Sequence, residues 1–133
     1  MTVMEVGVGS GAVITSAALL MARQGNNSSR FLGTDINPKA IACASRVAEA
    51  NKVDIEFIET EFADSIIDLQ VDVLIFNPPY VVTSEEELDD AQAKKGIEAA
   101  WAGGIQGTQV LLNFIPTIQR VLKKSGVLYL LLI

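Results

Sequence analysis

Short apolar runs alternate with amphipathic stretches along the whole chain. Apolar runs that end at Gly, Asp or Asn are typical of buried strands, whereas apolar residues spaced three and four apart indicate helices. Alternation of the two predicts βαβ units and a parallel sheet. The predicted strands cover residues 4–8, 31–34, 55–59, 71–76 and 127–133, and the predicted helices cover 12–23, 39–51 and 107–124, the last kinked or restarted at Pro116.

The segment between the fourth strand and the last helix is acidic. Residues 83–100 contain the runs Glu85-Glu86-Glu87 and Asp89-Asp90, and they are interrupted by Gly96. Runs of like charge are more often solvated surface than binding sites. We therefore predict a mobile surface loop here.

These elements predict one α/β domain over residues 1–133, with a doubly wound, Rossmann-like and mostly parallel sheet. Asn37 suits the N-cap of the second helix, and Pro38 suits its first turn, where no backbone N–H donor is needed. In such a sheet, ligands bind at the carboxyl ends of the strands, beside the switch point next to the first strand.

Composition and charge exclude several classes of function. Half of the 133 residues are apolar, which fits strands buried on both faces, and no apolar stretch approaches the roughly 20 residues of a membrane span. The net charge is −6 and the basic residues are scattered, which argues against nucleic acid as a partner. Without histidine, the chain has no imidazole base and no His metal ligand.

The single cysteine, Cys43, lies in a helical pattern, and we interpret it as a small core residue. One cysteine forms neither a disulfide nor a zinc framework. We therefore predict no metal site, and we expect a reducing compartment, the cytoplasm.

The most informative motif follows the fourth strand and reads Asn77-Pro78-Pro79-Tyr80. Asn77 has a side-chain acceptor and an NH2 donor, and Pro78 has a carbonyl that only accepts. Pro79 restricts Pro78 to extended geometry, which fixes the direction of that carbonyl, and Tyr80 adds a flat face. The motif predicts a site that holds a planar amino group by two hydrogen bonds; a plain strand-ending turn is the alternative.

A glycine loop joins the first strand to the first helix over residues 5–11. Such a loop lets the backbone approach a ligand closely, and Asp35 at the end of the next strand can accept hydrogen bonds from a ribose diol. The spacing Gly7-x-Gly9-x-x-Ala12 also satisfies the dinucleotide pattern, so an NAD-binding oxidoreductase is a rival interpretation. Glu5, inside the first strand, favours a cationic amino-acid moiety instead.

Together, these residues resemble the class I S-adenosylmethionine-dependent methyltransferases that modify planar amino groups. Segments 33–38, 71–76, 77–83 and 96–104 are more specific, and they are similar to the HemK-like protein glutamine methyltransferases of the eukaryotic release-factor branch. The resemblance covers nearly the whole chain.

The resemblance implies that S-adenosylmethionine is the methyl donor and that the acceptor is the side-chain amide of the glutamine in the Gly-Gly-Gln motif of a class-1 peptide release factor. It places Glu5 and Gly7 around the methionine moiety and Asp35 at the ribose. It places Glu61 and Phe62 at the adenine, and at the position of Glu61 the family usually has aspartate. The implied cofactor-binding residues are Glu5, Gly7, Gly9, Gly11, Asp35, Ile36, Glu61, Phe62 and Asn77; the implied catalytic residues are Asn77, Pro78 and Tyr80; and the implied substrate-binding residues are Asn77, Pro78, Pro79 and Tyr80.

The resemblance also implies a heterodimer, because the release-factor branch works with a small zinc-binding activating subunit. Family members have a segment before the first strand that closes over the cofactor, and they have further strands after the fifth. Since this chain begins at its first predicted strand and stops within its last, we expect a class I methyltransferase sheet that is truncated before its final strands and incomplete at both ends.

Three alternatives stay open. A DNA adenine-N6 methyltransferase also acts on a planar amino group, but it extrudes its base and needs a surface that recognises the target, and the acidic charge disfavours DNA. An NAD-binding oxidoreductase is the second alternative, and a catalytically silent binding module is the third. We interpret Trp101, just before Gly103-Gly104, as a packing residue rather than a cover for the acceptor pocket.

Overall fold

The computed structural model describes residues 1–132, so Ile133, the end of the predicted strand 127–133, lies outside the described part. The strands, in chain order, are β1 (Thr2–Val6), β2 (Arg30–Asp35), β3 (Glu56–Glu59), β4 (Val71–Phe76) and β5 (Leu122–Leu130). The helices are α1 (Ala12–Arg23), α2 (Pro38–Ala50), α3 (Glu85–Lys94) and α4 (Gln109–Val121), and two short 3-10 turns lie at Ile97–Ala100 and Ile105–Gly107.

The strands form one sheet in the order β3-β2-β1-β4-β5, and each neighbouring pair is parallel. The chain therefore adds β2 and then β3 on one side of β1. It then returns and adds β4 and β5 on the other side of β1. This arrangement confirms the predicted doubly wound sheet. Its switch point lies between β1 and β4, where the connections lead away from one another and leave a crevice at the carboxyl ends of the strands.

Apolar cores cover both faces of the sheet at its central strands β1, β2 and β4, which accounts for much of the high apolar content. Along β1, alternate residues face opposite sides, as the two-residue period of a strand requires. One face packs against α3 and α4, and the other packs against α1 and α2. The first core includes Met4, Leu32, Leu74, Phe114 and Val121, and the second includes Val3, Ile14, Phe31 and Ala44.

The predicted mobile loop over residues 83–100 is wrong, because α3 lies within it. Ser84 begins this helix with a capping box: its Oγ accepts from the Glu87 backbone N–H at 3.2 Å, and its own N–H donates to Glu87 Oε2 at 2.9 Å. Leu88 and Ala91, one turn apart, are buried in the core. The acidic residues of the segment are solvated, but the two apolar residues anchor the helix.

The other differences from the predicted elements are smaller. The first strand is Thr2–Val6 rather than 4–8, because the glycine loop begins at Gly7. Helix α4 continues through Pro116, so the helix does not restart there, and the kink given as the other possibility stays a prediction. Strand β5 follows α4 directly, with an irregularity in its pairing to β4. Within the described residues, no helix has the length and apolarity to cross a membrane.

Candidate active site

A cavity of about 920 Å³ opens at the carboxyl ends of β1, β2 and β4, on both sides of the switch point. Its volume falls in the range of small-molecule sites. The cavity is lined by residues 5–10 with Ala12 and Val13, 35–40 with Cys43, 60–62, Phe76, Asn77 and Pro79, and, from the other side, by Gln92, 95–100 and Val110.

Most of the predicted cofactor-binding residues meet in this cavity. Glu5, Gly7, Gly9, Asp35, Ile36, Glu61, Phe62 and Asn77 all line it. Gly11 does not. At Gly11, φ is +77°, and a Cβ there would lie 2.7 Å from the Ala44 Cβ, so this glycine instead allows α1 to approach α2 closely.

Glu5 is a buried carboxylate at the floor of the cavity. Its side chain is 4% exposed, and Oε2 accepts a hydrogen bond from the Ile14 N–H at 2.9 Å, near the N-terminus of α1. Burial is the main cause that raises the pKa of Glu5 to about 7, and repulsion by the Asp35 carboxylate raises this pKa further. The hydrogen bond from the Ile14 N–H has the opposite effect and lowers it. A cationic ligand group beside Glu5 would favour the charged form.

Glu5→Gln is expected to change how stability depends on pH. Because the pKa of about 7 in the folded protein exceeds the ordinary value of 4.5, the folded protein binds more protons than the unfolded chain between these values. The free energy of unfolding therefore falls as pH rises through this window, by at most about 3 kcal/mol. Glutamine does not titrate, so the variant should lack this loss.

Urea unfolding of the ligand-free protein near pH 5 and near pH 8 measures the difference. Glu49→Gln, at an exposed position on α2, is the matched control, and it should follow the wild type. Parallel pH dependences for the wild type and Glu5→Gln would contradict the shifted pKa.

Asp35 connects the glycine loop after β1 with the turn that joins β2 to α2, at the open edge of the cavity. Its Oδ2 accepts from the Gly9 N–H at 2.9 Å, and its Oδ1 accepts from the Asn37 N–H at 2.8 Å. Each carboxylate oxygen has a second lone pair, so both can still accept from a ligand diol. Asp35 therefore holds the glycine loop in place and presents acceptors to a ligand.

The loop that carries Glu61 and Phe62 is held by residues that sequence reasoning missed. The Thr34 hydroxyl donates to the Phe62 carbonyl, and the Arg120 guanidinium donates to the carbonyls of Ala63 at 2.9 Å and Ile66 at 2.6 Å. Arg120 lies more than fifty residues away in the sequence. No local pattern could have assigned it to this loop.

The Phe62 ring packs against two core aromatics, with ring centroids 5.3 Å from Phe114 and 6.1 Å from Phe76. Phe76 is the last residue of β4 and directly precedes Asn77. One aromatic cluster therefore supports both the Glu61–Phe62 loop and the end of the strand that presents Asn77.

The Asn77-Pro78-Pro79-Tyr80 motif is only partly in the cavity. Asn77 is exposed and lines the cavity together with Pro79. Pro78 and Tyr80 are not among the lining residues; Pro78 is buried, and the Tyr80 side chain is 41% exposed outside the cavity. The motif thus forms the rim between the cavity and the protein surface.

Helix α3 and the turn after it contribute a wall that was not predicted. Gln92, Lys95, Ile97 and Glu98 line the cavity opposite the glycine loop. The signal for this wall was present in the sequence: Ser84 and Glu87 have capping-box spacing, and Leu88 and Ala91 follow at helical spacing.

The structure corrects the interpretation of Cys43. Cys43 is only partly buried and lines the cavity, so it is not a core residue. Its local pattern indicated the core, whereas its neighbours in space decide its exposure.

Trp101 is 40% exposed and is not among the residues that line the cavity. Its interpretation as a packing residue stays a prediction.

Residues 1–102 match the methyltransferase small domain family. The chain belongs to this family. The family match includes β1 to β4, the glycine loop, Asp35 and the Asn77–Tyr80 motif, so it covers nearly all of the cavity wall described above. It fits the predicted class I methyltransferase fold, which the parallel sheet confirms.

Among curated relatives of this methyltransferase-family chain is human "Methyltransferase HEMK2", 40% identical over 133 residues, with 98% of this chain and 58% of the human protein covered. A "Release factor glutamine methyltransferase" of Lactococcus lactis is 29% identical, with 96% of this chain and 46% of that protein covered. These relatives confirm the resemblance to the HemK-like family. The chain spans about half the length of the curated relatives it matches.

A solved SAM-dependent methyltransferase from Thiobacillus denitrificans, in complex with S-adenosyl-L-homocysteine, superposes with a TM-score of 0.55 over 97% of this chain and 40% of that chain. The two sequences are 24% identical. The superposition shows a shared class I methyltransferase fold.

Proposed function

We propose that this protein transfers a methyl group from S-adenosylmethionine to the side-chain amide nitrogen of the glutamine in the Gly-Gly-Gln motif of a class-1 peptide release factor. The observation that carries the proposal is the meeting of an acidic cavity, lined by Glu5 and Asp35, with the exposed amide of Asn77 at its rim. One wall suits a cationic nucleoside, and the other suits a planar amino group.

The residues of the cavity fit S-adenosylmethionine. When bound, this cofactor supplies an electrophilic methyl group on a cationic sulfur. Glu5 would accept from the ammonium of its methionine moiety, Asp35 would accept from its ribose hydroxyls, and Glu61 with Phe62 would hold its adenine. Four acidic residues and two lysines line the cavity, and this negative balance favours a ligand with positive charge over the pyrophosphate of NAD.

At the rim, Asn77 Oδ1 and the Pro78 carbonyl would each accept one hydrogen of the glutamine NH2 group. Two such bonds turn the nitrogen lone pair toward the methyl group and weaken its conjugation with the amide carbonyl. Because the cavity presents no strong base at Asn77, positioning would supply most of the rate. The new N–C bond would form as the S–C bond of the methyl donor breaks, which leaves S-adenosylhomocysteine, and the proton would then leave to water. The exposed Tyr80 ring would pack near the peptide.

The relatives support the choice of acceptor. The name of the Lactococcus relative states release-factor glutamine methylation, and the higher identity to the human protein favours the eukaryotic branch. For this branch we propose a heterodimer with a small zinc-binding activating subunit, working in the cytoplasm, where release factors act on ribosomes.

Methyl transfer from labelled S-adenosylmethionine, with the activating subunit present, tests the proposal. The acceptors compared are a release factor, the same factor with the Gly-Gly-Gln glutamine replaced by alanine, and duplex DNA. We expect label on the first acceptor alone. Label on DNA would support the adenine-N6 alternative, since an adenine amino group fits the same two acceptors; label on the alanine-substituted factor would show that the glutamine is not the acceptor.

A further inference from the structure

A short chain segment runs alongside the end of the acceptor motif and the residues that follow it. Residues 101–107, here called the brace, lie beside residues 80–83, and Val81 and Ala102 form an isolated parallel bridge between them. The Val81 N–H donates to the Trp101 carbonyl at 2.9 Å, and the Gly103 N–H donates to the Val81 carbonyl at 2.8 Å. The loop after the motif is therefore hydrogen-bonded in the manner of a sheet although it belongs to no strand of the sheet.

A second link between the two segments joins Thr83 and Gly104 in both directions. The Thr83 N–H donates to the Gly104 carbonyl at 3.1 Å, and the Thr83 Oγ1 accepts from the Gly104 N–H at 2.9 Å. Thr83 is 7% exposed, so its hydroxyl is the acceptor for a buried N–H that water does not reach. Removal of this oxygen leaves the donor without a partner.

Glycines bring the brace into contact with the Tyr80 backbone. At Gly107, φ is +67°, and a Cβ there would lie 2.2 Å from the Tyr80 carbonyl oxygen. A Cβ at Gly103 would lie 2.9 Å from the Tyr80 carbonyl carbon. No side chain could fit at either position without moving the end of the motif.

The motif is therefore fixed at both ends. Before it, Phe76 belongs to β4, and its carbonyl accepts from the Leu131 N–H at 3.1 Å. After it, Tyr80 and Val81 are held by the brace, which is itself anchored by the buried Ala102. Two prolines stiffen the residues between. With both ends held, few directions remain for the Asn77 amide and the Pro78 carbonyl.

We propose that the brace, through the Thr83–Gly104 pair, is a positioning element that aims the two acceptors of the motif at the amino group of the substrate. The proposal rests on the proposed function, because it names what orients the same site. None of the brace residues needs to touch the reacting atoms. A misplacement of about 1 Å in such a site costs about 10²-fold in rate, so a rigid support some residues away affects turnover strongly.

Thr83→Val and Thr83→Ser form the test pair. Valine has nearly the shape of threonine but lacks the acceptor, whereas serine keeps it. For methyl transfer to the release factor by the heterodimer, we expect Thr83→Val to lower kcat by about 10- to 100-fold and Thr83→Ser to stay within about threefold of the wild type. The Kd for S-adenosyl-L-homocysteine, measured by calorimetry, should change by less than about threefold in both.

Thr108→Val is the matched control, because Thr108 directly follows the brace in sequence, is exposed, and makes no capping hydrogen bond with its side chain. Its kcat should equal that of the wild type. A kcat for Thr83→Val equal to the wild-type value would overturn the proposal, and so would a loss of cofactor affinity that matches the loss of kcat, since general unfolding of the site would explain it.

Hydrogen exchange of the wild type provides a second measurement in case Thr83→Val does not fold. We expect the amide protons of Val81, Thr83 and Gly104 to exchange as slowly as those of β4. Exchange at the rate of an exposed loop would overturn the proposal without any variant. A wild type that exchanges slowly but does not methylate the release factor would instead refute the proposed function and leave the brace intact.

Discussion

Asn77→Ala is expected to lower kcat for methyl transfer by about 10²- to 10³-fold, the range seen when one preorganised hydrogen-bonding group is removed from an active site. The alanine removes the side-chain acceptor that holds the amino group of the substrate, whereas Glu5 on β1 and Asp35 on β2 stay in place. Cofactor affinity should therefore remain within about threefold of the wild type.

Turnover with the release factor, and calorimetric titration with S-adenosyl-L-homocysteine, measure the two quantities separately. Asn27→Ala, at an exposed position between α1 and β2, is the matched control. Unchanged turnover of Asn77→Ala would remove Asn77 from the acceptor site. A large loss of cofactor affinity would instead assign Asn77 mainly to cofactor binding.

Asp35→Ala is expected to weaken cofactor binding by about 1.5–3 kcal/mol, the contribution of hydrogen bonds to a charged group. The loss has two sources. The ribose would lose its charged acceptor, and the Gly9 and Asn37 N–H groups would lose the carboxylate that now accepts from them at 2.9 Å and 2.8 Å. The glycine loop would then need to be ordered by the ligand itself.

The corresponding rise in Kd is about 10- to 150-fold. Titration calorimetry with S-adenosyl-L-homocysteine measures it, with Asp54→Ala, an exposed aspartate before β3, as the control. Asp35→Asn should fall between the wild type and Asp35→Ala, because it keeps one acceptor oxygen. An unchanged Kd for Asp35→Ala would exclude Asp35 from the site.

The two variants remove groups with different roles in one cavity, so their effects should separate. Asn77→Ala should act on kcat, and Asp35→Ala should act on cofactor affinity. The Thr83 variants should resemble Asn77→Ala in kind but be weaker, since Thr83 acts through the Asn77–Tyr80 motif and does not touch the ligand. This ordering distinguishes a residue that contacts the substrate from one that orients it.

The sequence alone determined the parallel sheet and the position of the main site residues. Strand and helix periods, glycine turns and prolines are local features, and a parallel sheet brings the residues after each strand to the same edge. Asp35 ends β2 and Asn77 directly follows β4, so the sequence was sufficient to predict that both would face one crevice, as they do.

Only the tertiary structure decided how the site is closed, charged and held. The acidic residues of segment 83–100 indicated a solvent-exposed loop, but the burial of Leu88 and Ala91 anchors α3, which forms part of the cavity wall. The raised pKa of Glu5 arises from burial, which depends on what packs around β1. Gly11 fits the glycine-loop pattern, but its close contact is with Ala44 on another helix.

The hydrogen bonds of the brace also depend on the tertiary structure alone. Thr83 and Gly104 are 21 residues apart, and neither belongs to a strand or to an α-helix, so no period or turn rule connects them. Their hydrogen bonds exist because the loop after β4 and the segment before α4 meet at the end of the sheet. Local sequence placed the Asn77 amide and the Pro78 carbonyl at the end of a strand, and long-range packing holds the chain on the far side of the motif.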